Sequence, residues 1–188
     1  MTGVMWVWVL VAVAALLVLA FIWIFNRLVS LRNRVDNGWA QIDVQLRRRY
    51  DLIPNLVETV RGYAAHEREV FEEVTRARTR AIDASSVPDQ ADAENQITRG
   101  LRQLLAVVEA YPELKANQNF LALQEELTAT ESKIAYARQF YNDQVMRLNT
   151  LIQSFPSLLV ARLFGFRERE FFDIEDPARG PAEVDFAT

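Results

Sequence analysis

The sequence predicts an all-α protein that is held in a membrane by its N-terminal helix, and three observations lead to this class. The first 26 residues contain no ionisable side chain, and residues 4–25 are apolar throughout. After them, apolar or small residues recur every 3.6 positions, which is the period of a straight α-helix. No strand pattern and no internal repeat is visible. We therefore expect an N-terminal transmembrane helix running into a long kinked helix, with antiparallel helices packed as an elongated bundle.

The apolar run is long enough to cross a bilayer. At about 1.5 Å per residue it reaches about 33 Å, against a hydrocarbon core of about 30 Å. A cleaved signal peptide would instead show a basic n-region, a short apolar stretch and a small-residue cleavage site. None of these is present, so we expect residues 1–26 to be a retained anchor that contacts the lipid bilayer through residues 4–25.

Charges beside the run predict its orientation. Arg27, Arg32 and Arg34 follow it closely, whereas no basic residue precedes it. Basic flanks stay on the cytoplasmic side of a membrane. We expect a single-pass protein of the cell inner membrane or plasma membrane, with the N-terminus outside and residues 27–188 in the cytoplasm.

The helical period runs from Leu28 to Ala64 in ten steps over 36 residues. It predicts one rod from the membrane to about Ala84. Pro54 lies inside this rod and removes the backbone donor that would bond to the carbonyl of Tyr50. We expect a kink at Pro54 rather than a turn, and the sequence leaves both open.

Further helices follow a break of serines and a proline at residues 85–90. One covers about residues 91–110, and the next is a long helix for which Asn119 is the expected N-cap. Pro156 can begin a short helix, which Gly165 can end in the left-handed conformation.

The C-terminal residues 167–188 form an acidic tail with seven Asp or Glu against three Arg. We expect the tail to be partly docked, with Phe171 and Phe172 held on the bundle. The chain then divides into an anchor at residues 1–26, a helical bundle at residues 27–166 and this tail.

The stretch "DVQLRRRYDLIPNL", residues 43–56, is open to three interpretations. It is a catalytic or anion-binding constellation, a basic patch for lipid or nucleic acid, or the surface and kink of a structural helix. At 100° per residue, five polar side chains fall opposite the apolar stripe, which predicts a solvated face. These are Asn37, Gln41, Arg48, Asp51 and Asn55.

Arg49 falls on the flank of the stripe instead. Its guanidinium either runs along the helix towards water or meets a carboxylate on another helix, with Glu125, Glu126 and Glu131 as candidates. The candidate interaction or packing residues of the chain are Gly38, Trp39, Arg49, Tyr50 and Pro54.

The arginine triplet does not indicate nucleic acid or membrane lipid. The net charge is -4, and Asp43 and Asp51 flank the triplet. Arg47 also lies about 30 Å beyond Arg27 along a continuous helix, which is several Debye lengths. We expect no nucleic-acid partner.

Enzymatic constellations are missing from the sequence. There is no cysteine, and the only histidine, His66, lacks the second histidine of a zinc-protease helix because position 70 is Val70. One histidine also cannot supply a di-iron bundle, and the six glycines form no phosphate loop. We therefore predict no catalytic residues, no metal ligands and no cofactor.

Gly38 lies on the same flank of the helix as Leu52 and Leu56. A missing side chain there lets another helix approach closely, and Ala12 and Ala15 give the span a small-residue face. We expect a homo-oligomer built through the span and this flank. The alternative is that the flank is covered by the chain's own later helices.

Several separated blocks of the chain stand out together. They are "LRNRVDNGWAQIDVQLRRRYDLIPNLVETVRGYAAHEREVFEEVTRAR", "QNFLALQEEL", "ESKIAYARQFYND", "LFGF" and "EFFDIEDPA". In these blocks the chain resembles the bacterial LemA family. Gly38 is a small departure, since alanine is expected there. The resemblance implies an N-terminal anchor and a cytoplasmic helical bundle, with no established enzymatic activity and no established cofactor.

The sequence thus favours a non-enzymatic, membrane-anchored scaffold or self-assembling interaction protein at the cytoplasmic face of the bacterial cell membrane. The alternative is a membrane-shaping or lipid-binding protein, which rests on "SLLVARLFGF" and the arginines beside the span. The partner proteins are not identified by the sequence.

Overall fold

The computed structural model describes residues 2–174 and shows no strand among them, which confirms the all-α class. Its helices are α1 (Thr2–Arg61), α2 (Arg68–Asp83), α3 (Val87–Glu109), α4 (Pro112–Lys115), α5 (Gln118–Gln153) and α6 (Ser157–Leu163). The chain forms two compact units. Within the described residues, the first unit comprises residues 2–42 and 137–170, and the second comprises residues 43–136 and 171–174.

Helix α1 begins as the apolar run and is long and apolar enough to cross a membrane. Side chains from Gly3 to Trp23 are exposed in the isolated chain. Burial begins at Ile24 and Leu28 without a break in the helix. The helix also continues through Pro54, so no turn occurs there.

In the first unit, the apolar stripe of α1 is buried, and α5 lies against this helix at Gly38 and Trp39. Leu28, Leu31, Val35 and Ile42 are buried. The prediction that this stripe faces the core is confirmed for this part of the helix.

The predicted rod to Ala84 is wrong, because α1 ends at Arg61 and residues 62–67 form a turn. Arg61 lies over the ring of Phe71, and Arg78 bonds to Tyr50, so α2 runs back along α1. Gly62 weakens the helix by about 1 kcal/mol. The reversal then buries the apolar face of α2, which a straight rod would leave exposed.

Helix α3 packs closely on α2 in the second unit. A Cβ atom at Gly100 would lie 3.0 Å from Cγ2 of Val74, so the missing side chain permits this approach. The side chain of Ser86 caps α3 by accepting a hydrogen bond from the backbone N–H of Asp89 at 3.2 Å.

Helix α5 is capped by Asn117, not by Asn119 as the sequence predicted. Oδ1 of Asn117 accepts hydrogen bonds from the backbone N–H groups of Asn119 and Phe120. Helix α5 therefore begins at Gln118, two residues earlier than predicted, soon after the short helix α4.

Helix α6 ends as predicted. Gly165 has φ 68°, and the backbone N–H of Phe166 donates to the carbonyl of Ala161 at 2.9 Å. These features form a Schellman motif. Beyond it, Phe172 is fully buried, whereas Phe171 is half exposed. The rest of the predicted tail, residues 175–188, lies outside the described residues.

Candidate functional site: a buried polar cluster in the second unit

Arg49 is the centre of the cluster and is only 1% exposed. Its Nη1 donates to Oε2 of Glu94 at 3.2 Å, and its Nη2 donates to the hydroxyl of Thr98 at 2.9 Å. Its Nε lies 3.1 Å from Oε1 of Glu131, an ion pair without hydrogen-bond geometry. The guanidinium thus joins α1 to α3 and to α5.

Glu94 is fully buried and has three polar partners. Besides Arg49, the hydroxyl of Tyr50 donates to its Oε1, and Nε2 of Gln90 donates to the same oxygen at 3.0 Å. Burial raises the pKa of the Glu94 carboxyl, and the charge of Arg49 opposes that rise. Burial likewise raises the pKa of the Tyr50 hydroxyl, with the nearby Glu94 acting in the same direction.

The carboxylate of Glu94 reaches the interior because of its place on α3. Ala91, Ile97, Leu101 and Leu104 form the apolar stripe of this helix, and Glu94 stands between the first two at helical spacing. A charge at that position is buried whenever the stripe is buried. It must then be paired, because an unpaired buried charge is strongly unfavourable.

Pro54 contributes to the same region through the backbone. It has no N–H, so the carbonyl of Tyr50 loses its helical partner. Nε of Arg78, on α2, donates to this carbonyl at 2.7 Å. A side chain of a neighbouring helix therefore replaces the hydrogen bond that proline removes.

This replacement predicts that Arg78 and Pro54 are energetically coupled. Arg78→Met is expected to lower the free energy of unfolding by about 1 kcal/mol, because the Tyr50 carbonyl is left without a partner. In a Pro54→Ala background the new amide can donate to that carbonyl, so the same change should cost less. A double-mutant cycle from denaturant titrations in detergent micelles measures the coupling. Equal losses in both backgrounds would show that the two residues act independently.

The other arginines of the triplet lie at the surface. Arg48 pairs with Glu126 at 2.8 Å, and both side chains are more than 40% exposed. Arg47 pairs with Asp43 at 3.0 Å and is also exposed. The predicted solvated face is confirmed, since all five of its side chains are exposed.

The structure brings together Arg49, Tyr50 and Pro54 of the predicted interaction or packing residues. Gly38 and Trp39 lie in the first unit instead. Gly38 is buried, and a Cβ atom there would lie 3.2 Å from Cα of Tyr141. The ring of Trp39 lies 5.5 Å from that of Tyr141. The chain's own α5 thus covers this flank, which corrects the expectation that Gly38 faces a second copy.

Leu52 and Leu56, the other members of that expected flank, are also buried, in the second unit. Sequence reasoning named Glu131 as a partner of Arg49, which is confirmed, but missed Glu94, Gln90 and Arg78. The sequence did indicate that Glu94 is buried, because its carboxylate interrupts the apolar stripe of α3.

An open pocket of ≈ 610 Å³ borders the cluster. Its lining includes Asp43, Arg47, Asp51 and Arg78, two acids and two bases, so it presents no strong charge of one sign. No group of three or more potential metal ligands occurs within residues 2–174. His66 is exposed. The cluster joins four helices of the second unit, α1, α2, α3 and α5, and so favours one mutual register of them.

Comparisons with known proteins match this chain to one family model and to several relatives. The model of the LemA family matches residues 38–186. Magnetosome protein MamQ 1 of Paramagnetospirillum magneticum is 25% identical, over 90% of this chain and 73% of its own. Magnetosome protein MamQ of Magnetospirillum gryphiswaldense is 23% identical over the same shares. Protein LemA of Metamycoplasma hominis is 25% identical, over 73% of this chain and 63% of its own.

Proposed function

We propose that this chain, which belongs to the LemA family, is a non-enzymatic, membrane-anchored scaffold that self-assembles at the cytoplasmic face of the cell membrane. Family membership and the apolar N-terminal helix indicate a membrane-associated helical protein. Neither MamQ nor LemA is the name of an enzyme. One observation carries the proposal: the anchor and the first packed helix are the same helix.

In the first unit, α1 passes from exposed to packed within one turn. Trp23 is 66% exposed, whereas Ile24 is 7% exposed and Leu28 is fully buried. No linker separates the span from the packed stripe, so this unit cannot pivot about the anchor. A protein built in this way holds its surface at a set height above the bilayer, which suits a scaffold.

The second unit adds internal rigidity through the buried cluster. Arg49 and Glu94 lose their pairing if any of the helices that carry their partners slides, so one register is favoured over others. A single arrangement of the helices presents a constant surface to partners. This supports a binding role more than a role that needs large internal movement.

The cytoplasmic placement rests on the charges beside the span. Arg27, Arg32 and Arg34 all follow it, and basic flanks remain inside. Self-assembly rests on the span itself, since Ala12, Ala15 and Leu16 lie along one exposed face of α1. Small residues at such a face let two helices approach in lipid.

Single-cysteine variants test self-assembly and orientation separately, because the chain has no native cysteine. Leu16 and Leu17 lie at nearly the same depth and are 65% and 66% exposed, but they point 100° apart. Oxidation of native membranes should crosslink Leu16→Cys several-fold more than Leu17→Cys. Weak crosslinking at both positions would contradict self-assembly through this face.

The same approach tests orientation. An impermeant thiol reagent added to intact cells should label Thr2→Cys, and it should label Ser85→Cys, an exposed position in the second unit, only after lysis. Labelling of Ser85→Cys in intact cells would place the bundle outside the membrane.

A further inference from the structure

Helix α6 has apolar side chains on two faces, and only one of them is covered. Ser157, Val160 and Ala161 are buried against the chain. Leu159 is 59% exposed and Leu163 is 72% exposed. A helix that is apolar on both sides belongs in a core or against lipid.

Two further exposed apolar side chains flank the helix, one on each side. Phe155, four residues before Leu159, is 80% exposed, and Phe164 at the C-terminal end is 50% exposed. Four large apolar side chains within the ten residues 155–164 are thus at least half exposed. So many exposed large apolar side chains in one short segment indicate an interaction site rather than ordinary surface.

The position of α6 beside α1 indicates which environment the exposed side chains of α6 meet. The ring of Phe164 lies 4.8 Å from that of Phe25 and 5.7 Å from that of Phe21. Both partners belong to the end of the apolar run, residues 4–25. The end of α6 is therefore at the level at which the span leaves the hydrocarbon.

Arginine side chains lie near the end of the apolar run, where the headgroups of a bilayer would be. Arg32 lies over the ring of Phe166 at 5.4 Å, about two turns beyond the apolar run. Arg162, the one charged residue of α6, and Arg27 are exposed. Guanidinium groups beside an apolar face are the pattern of helices that lie at the headgroup boundary of anionic lipids.

We propose that α6 is a second membrane contact, with Phe155, Leu159, Leu163 and Phe164 inserted into the headgroup and acyl boundary of an anionic phospholipid leaflet. The proposal rests on the membrane anchor of the proposed function. It adds that the first unit contacts the leaflet through a second element that lies beside the span. With two points of contact, α1 is held against both rotation and tilt in the bilayer.

The test uses the full chain in vesicles of phosphatidylcholine and phosphatidylglycerol, with a nitroxide attached to single cysteines. The collision rate with oxygen, divided by that with a water-soluble nickel chelate, reports contact with lipid. Labels at Leu159→Cys and Leu163→Cys are expected to give a ratio several-fold above that at Ser132→Cys, an exposed position on α5. Water-like ratios at both α6 positions would overturn the proposal.

A label at Leu17→Cys in the apolar run separates this proposal from the anchor. A lipid-like ratio at Leu17 with water-like ratios on α6 overturns only the α6 contact. A water-like ratio at Leu17 overturns the anchor itself. Dipolar broadening between labels at Leu159 in neighbouring chains, together with low collision rates for both oxygen and the nickel chelate, would assign the face to a second copy and would also overturn the lipid contact.

Discussion

Arg49→Met is expected to lower the free energy of unfolding by about 3 to 5 kcal/mol, the usual cost of removing one partner of a buried ion pair. Glu94 is fully buried and would lose its principal cation, leaving only the Tyr50 hydroxyl and Gln90 as donors. The side chain of Glu131 would also lose its partner, at smaller cost because it is 39% exposed. Denaturant titration in detergent micelles, followed by far-UV circular dichroism, measures the loss.

The loss should grow with pH. Burial already raises the pKa of the Glu94 carboxyl above its ordinary 4.5, and removal of the Arg49 charge raises it further. Above pH 4.5 the folded state of the variant then binds more protons than the unfolded state, so its stability falls as pH rises. The penalty should be smallest near pH 4.5 and larger at neutral pH. If the loss of stability does not change with pH, then the pKa of the Glu94 carboxyl does not depend on the charge of Arg49.

Two controls accompany this variant. Arg48→Met removes the neighbouring guanidinium, whose pair with Glu126 is exposed, and should cost less than about 1 kcal/mol. The double variant Arg49→Met with Glu94→Met replaces both charges with apolar side chains of similar length, so it should be more stable than Arg49→Met alone. Equal losses from Arg48→Met and Arg49→Met would contradict the importance of the buried cluster.

Gly38→Leu is expected to destabilise the first unit by about 2 kcal/mol. A Cβ atom at Gly38 would lie 3.2 Å from Cα of Tyr141 and 3.4 Å from the ring of Phe140. The remaining carbons of leucine would force α1 and α5 apart, at a cost of roughly 3 kcal/mol. Better helix propensity returns only about 0.8 kcal/mol, so the steric cost decides the sign.

The matched control is Ala40→Leu, which adds a similar side chain at an exposed position of the same helix. It should leave stability within about 0.5 kcal/mol. Both variants should keep the oligomer size of the parent in detergent, measured by light scattering, because Gly38 faces the chain's own α5. Loss of assembly by Gly38→Leu with unchanged stability would return this flank to an interface between copies.

Local pattern was enough to predict the helices and much of their orientation. The 3.6-residue recurrence of apolar side chains after the span identifies the buried residues of α1. One proline and one glycine predict the short helix that ends at Gly165. Both signals lie within a few residues of the structure that they specify. The solvated position of Arg48 follows from the same period.

Tertiary packing decided the rest. The chain reverses at Gly62, not at Ala84, because burial of the apolar face of α2 outweighs the continued helical period. Glu94 becomes the partner of Arg49 because α3 folds back onto α1, and at a sequence separation of 45 no local pattern identifies the two residues as partners. Gly38 is equally ambiguous in sequence, since a missing side chain permits close approach by any helix. Only the fold determines that the approaching helix is α5 of the same chain.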